Sequence, residues 1–71
     1  MKIDEVLQDA ELTLAAKAAY LLILRHHDTG GATFEDIKVV CADRPNDLNT
    51  ALNTLRQRGY VRRVDDRYLH A

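Results

Sequence analysis

Leu48, Ala51, Leu52 and Leu55 recur at spacings of three, one and three, which places them on one face of a helix across residues 45–58. The other face carries Asn46, Asp47, Asn49, Thr50, Asn53 and Thr54, short polar residues that favour helices poorly. Pro45 suits the first helical position, where its missing N–H would go unsatisfied anyway, and Gly59 is the natural stop. Ile3, Val6, Leu7 and Ala10 predict a shorter amphipathic helix over residues 3–10. Thr13 then reads as the N-cap of a helix from Leu14 to His27. Between Ala15 and Leu24 only Lys17 is charged, so this helix is expected to be the central pillar, buried on several sides.

Asp28-Thr-Gly-Gly31 ends that pillar, and Ala32-Thr33 is a short extended segment. Thr33-Phe-Glu-Asp36 has the form of a capping box, with Asp as its third residue after the cap. Phe34, Ile37, Val40 and Cys41 give the helix that follows one buried side. Residues 42–44 form the turn into the 45–58 helix. After Gly59, two β-rich runs flank Asp65-Asp66 and predict a hairpin. Val61, Arg63, Tyr68 and His70 share one of its faces, while Tyr60, Arg62, Val64, Arg67 and Leu69 share the other. The alternation does not say which face is inward. Tyr20, Leu22, Ile23, Ile37, Leu48, Leu52 and Leu55 are the expected core.

Composition narrows the classes. Seventy-one residues make one small domain whose core must be economical. A single cysteine excludes an intramolecular disulfide. No basic and apolar leader follows Met1, and the apolar run from Ala18 to Leu24 is too short to span a bilayer, so a cytoplasmic protein is expected. The net charge of −1 conceals an asymmetry. Residues 1–43 hold four Lys/Arg against eight Asp/Glu, a balance of −4, whereas residues 44–71 hold six Arg against three Asp, a balance of +3. That distribution hints at an anionic partner for the C-terminal part.

Helix, helix, short turn, helix and hairpin is the order of a winged helix-turn-helix domain, and residues 12–70 resemble that superfamily. "LTLAAKAAYLLIL" resembles the opening helix of winged domains in bacterial and phage regulators and in replication proteins. "TFEDIKVVCADRPNDLNTALNTLRQRGYVRR" resembles their helix-turn-helix and first wing strand. The chain departs from the pattern at Asp43, where an apolar turn residue is usual, and at Arg44, where a Ser or Thr cap is common. Asp47 is a further departure, because an acid on the reading face opposes phosphate. The wing is short and carries two aspartates at its tip.

The resemblance implies an α+β fold: a three-helix core with a wing, occupying residues 12–71, preceded by an amphipathic segment at 1–11. It also implies a transcriptional regulator that binds double-stranded DNA, with helix 45–58 in the major groove and the wing on the backbone. Asn46, Asn49, Thr50 and Asn53 would then approach base edges, where Asn pairs with adenine and Thr meets the thymine methyl. Arg44, Arg62, Arg63 and Arg67 would contact phosphates. Arg56 and Arg58, at the helix end, read instead as partners of the dipole and the terminal carbonyls. One short recognition helix needs a dimer for useful specificity, and residues 3–10 are the expected dimer element unless they fold back on their own domain. The alternative is a winged domain used as a protein-interaction module, favoured by the net negative charge, Asp47 and the Asp65-Asp66 tip.

No catalytic constellation, phosphate loop or cofactor motif is present, so no enzyme and no cofactor are expected. Cys41 with His26, His27 and His70 matches no standard metal spacing, and Cys41 lies in line with Phe34 and Ile37 as a buried thiol.

Overall fold

A computed structural model describes residues 3–41 and 45–71, apart from the side chains of Val40, Cys41, Pro45 and Asn46. Expectations for Asp43, Arg44, the Asn46 side chain and the Cys41 thiol therefore lie outside the described residues. Helices α1 (Ile3–Gln8), α2 (Leu14–Arg25), α3 (Phe34–Cys41) and α4 (Pro45–Gln57) combine with strands β1 (Ala32–Thr33), β2 (Val61–Val64) and β3 (Arg67–His70). The fold is α+β. Its sheet is antiparallel with order β1-β3-β2, so the expected hairpin gains a third strand from Ala32-Thr33.

Local chemistry explains where the elements begin. The Thr13 hydroxyl accepts the Ala16 N–H at 3.1 Å, capping α2. At α3 the capping box closes in both directions: Asp36 N–H donates to Thr33 Oγ1 at 3.1 Å, and Thr33 N–H donates to Asp36 Oδ2 at 3.0 Å. That backbone bond holds the Asp36 carboxyl below its ordinary pKa, because it favours the charged form.

The helix ends follow one rule. After α4, Tyr60 N–H donates to Leu55 O at 3.0 Å and Gly59 N–H to Arg56 O at 3.1 Å, with Gly59 at φ 78°. These two bonds are a Schellman motif. The end of α2 is looser than expected. The α-helix stops at Arg25, and His27–Thr29 forms a 3-10 turn before Gly30 and Gly31. Gly31 must be glycine for a second reason: a Cβ there would stand 2.8 Å from the Tyr68 carbonyl oxygen. This close approach lets β1 lie beside β3.

Helix α2 is the pillar, packed against α1, α3, α4 and β3. Ala16, Ala19, Tyr20 and Ile23 are its buried side, facing Ile37, Leu48, Leu52 and Leu55 in a shared core. Leu22 is a correction to the expected core, since it is only half-buried and packs at the edge. The inward face of the hairpin is that of Val61 and Tyr68, whereas Val64 is exposed. Asp65 turns the hairpin at φ 56°, a conformation that a short polar side chain tolerates.

Val6 is 0% exposed within this same core, and Ile3 packs against it. The apolar stripe that suggested a dimer element is thus covered by its own chain at Ile3 and Val6, with Leu7 and Ala10 left outside. Asp9 secures the segment. Its Oδ2 accepts from Arg58 Nη1 at 3.1 Å and from the Tyr60 hydroxyl at 3.0 Å, and its Oδ1 accepts the Glu11 N–H at 3.0 Å. Arg58 also pairs with Glu11. Partial burial and the Asp9 bond raise the Tyr60 pKa above its ordinary value. No helix among the described residues is long and apolar enough to cross a membrane.

Candidate nucleic-acid interface

Burying Leu48, Ala51, Leu52 and Leu55 leaves Asp47, Asn49, Thr50 and Asn53 exposed on the opposite side of α4. Their neighbours divide them. Asn53 opens onto a cleft of about 520 Å³ between α4 and the hairpin, shared with Arg56, Gln57, Val61, Arg62 and Arg63. Asn49 opens onto an adjoining cleft of about 270 Å³ with Glu35, Arg63, Asp66 and Tyr68. Arg63 lines both clefts, so Asn49, Asn53, Arg62 and Arg63 form one continuous surface.

Arg63 is held in place. Its Nε donates to the Asp65 carbonyl oxygen at 2.9 Å, and its guanidinium lies 5.8 Å from the Tyr68 ring centroid. The ring face attracts the cation and limits its motion. Arg56 and Arg62 form no ion pair among the described residues. Among the described residues no carboxylate lines the larger cleft, and three guanidiniums do.

The other candidates lie elsewhere. Thr50 faces a separate groove of about 360 Å³ toward α2, with Glu11, Thr13, Asp47 and Thr54. Arg67 reaches the opposite side of the sheet system, where Nη1 donates to Gly31 O at 3.3 Å. Arg56, read from the sequence as a helix-end residue, lines the cleft with Arg62 and Arg63. Only the two-residue turn and the register of β2 could have hinted at this, because they decide which hairpin residues stand beside the last turn of α4. Arg58, by contrast, is taken up by Asp9 and Glu11.

Among the described residues no group of three or more His, Cys, Asp or Glu is placed to hold a metal ion. The chain matches no family model, no curated protein and no solved structure.

Proposed function

We propose that the protein is a winged helix-turn-helix regulator that binds double-stranded DNA through α4 and the β2–β3 hairpin. The observation that carries this reading is the continuity of Asn49, Asn53, Arg62 and Arg63 across the two clefts. Amides on a helix face can read base edges, and adjacent guanidiniums can hold phosphates and set the register. Element order supports the same reading, since α2, α3 and α4 followed by the β2–β3 hairpin run in the order helix, helix, helix, hairpin of the domains the sequence resembles. In this reading the chain is a cytoplasmic, non-enzymatic binder that carries no cofactor.

A second reading, docking on a protein, draws on different residues. Glu35 and Asp66 line the Asn49 cleft beside Arg63, and Asp47 is exposed on α4. Those acids would repel a phosphate backbone and would suit a basic protein surface. Retention on heparin and on random duplex DNA at low salt separates the two. Binding that weakens steeply with salt, followed by recovery of a preferred duplex from a random pool, is the expected outcome. Absence of any retention at low salt would transfer the α4 face to a protein partner.

A further inference from the structure

Opposite its buried side, α2 carries a second stripe. Leu14, Ala18, Leu21 and Arg25 are its exposed positions, at steps of four, three and four, which is one line along the outside of the helix. Leu14 is 84% exposed and Leu21 43%, and on α3 Val39 is 78% exposed. Leaving that apolar surface in water forgoes stabilisation that burial would supply. No charge interrupts the stripe before Arg25. Lys17, the one charged residue between Ala15 and Leu24, is occupied, its Nζ donating to the Leu7 carbonyl oxygen at 2.9 Å.

The two ends of the stripe differ in charge. At the C-terminal end Leu22, Arg25, His26, Asp36 and Val39 line a groove of about 320 Å³ between α2 and α3. The Asp36 carboxylate there accepts the Thr33 N–H, while Arg25 forms no ion pair among the described residues. At the other end Glu11 stands just ahead of α2, largely exposed beside Arg58.

We propose that α2 packs against α2 of a second copy of this chain, antiparallel across a two-fold axis beside Ala18. The charges select this arrangement. A parallel pair would set Arg25 against Arg25 and Glu11 against Glu11, whereas the antiparallel pair sets each arginine against a glutamate. Ala18, small and at the crossing, lets the helices approach closely. Four residues to either side of it, Leu14 of one copy meets Leu22 of the other and enters its groove. Seven residues to either side, Glu11 meets Arg25. The two-fold axis makes each contact twice. One helix face is a small interface, so association is expected at high micromolar concentration. Asn49, Asn53, Arg62 and Arg63 take no part in it, and the pairing does not depend on what α4 binds.

The test is sedimentation equilibrium of the full chain from micromolar to millimolar concentration, with circular dichroism to show that each variant is folded. The wild type should pass from monomer to dimer over that range. Leu14→Glu, at a position too exposed to support the fold, should raise the dissociation constant at least tenfold. Arg25→Glu and Glu11→Lys should each weaken the dimer, because each sets like charges together twice. Arg58 keeps Asp9 in the second of these, so its fold is retained. Mixed in equal amounts, the two variants should dimerise about as tightly as the wild type, since both cross-pairs are then opposite in charge. A wild type that stays monomeric at millimolar concentration overturns the proposal and leaves the stripe to a different protein. A dimer indifferent to Leu14→Glu overturns it too, as does a mixture that associates no more tightly than its separate components.

Discussion

Arg56 and Arg58 are two residues apart at the end of α4, and they meet opposite surroundings. Arg58 turns toward the N-terminal segment, where Asp9 and Glu11 take its charge and Tyr60 shares the Asp9 carboxylate. Arg56 turns toward the hairpin, where Arg62 and Arg63 line the same cleft and, among the described residues, no carboxylate does, although Glu35 and Asp66 stand beside Arg63 in the adjoining cleft. A helical step of two residues rotates a side chain by roughly 200°, which is enough to separate the corners. The first corner fastens the fold. The second gathers like charge, which costs stability.

This contrast can be broken from beneath. Leu52, 1% exposed, belongs to the buried side of α4 that supports both corners. Leu52→Ala should cost about 2–5 kcal/mol, read from urea or thermal unfolding. In so small a domain that loss should unfold a large part of the population and take both corners with it. A near-neutral result would contradict the register of α4.

Substitutions at the two corners should then diverge. Asp9, whose side chain is 12% exposed, anchors two charge-assisted bonds, and Asp9→Ala should lower stability by about 1–3 kcal/mol. Measured under conditions where the variant stays folded, its DNA affinity should change little. Across the molecule, Asn49→Ala or Asn53→Ala should leave stability nearly intact. Either should cost about 1–3 kcal/mol of binding on the preferred duplex and little on random DNA. Arg62→Ala should instead weaken both duplexes alike and reduce the salt slope by about one. If Asp9→Ala and Arg62→Ala behave the same in both assays, the distinction between fastening and binding corners fails.

The smallest effect expected concerns pH, at a site remote from both corners. Asp36 has a folded pKa below the unfolded value, so its capping contribution is present above the ordinary carboxylate range and is lost as pH falls through the folded value. Thr33→Ala should cost about 1 kcal/mol at neutral pH. Its stability deficit should shrink as pH falls from the ordinary carboxylate range through the lower folded value. Asp36 then loses the charge that the Thr33 hydroxyl, removed by the substitution, helps the backbone N–H to favour. Parallel acid-unfolding curves for the wild type and Thr33→Ala would argue against the coupling.

The local elements could be read from the chain because their causes are local. The Thr13 cap, the Thr33–Asp36 box, Pro45 at the start of α4 and the Gly59 stop each act within one turn of helix, and each holds in the fold. The apolar face of α4 was equally legible, because helical periodicity maps spacing directly onto burial. The α2 end was read too long because two glycines allow a 3-10 turn and a left-handed exit, which periodicity does not register.

What the tertiary structure alone decided are the pairings between distant segments. These include the inward face of the hairpin, the third strand at Ala32-Thr33, the burial of Val6 and the capture of Arg58 by Asp9. They also include the sharing of one cleft by Arg56 and Arg62, and the contact of His27 with His70. Residue type cannot rank such meetings, since each arginine or histidine carries the same chemistry wherever it lies. Helix packing and strand register choose among them, and both are set by how the whole core closes around Tyr20 and Leu55.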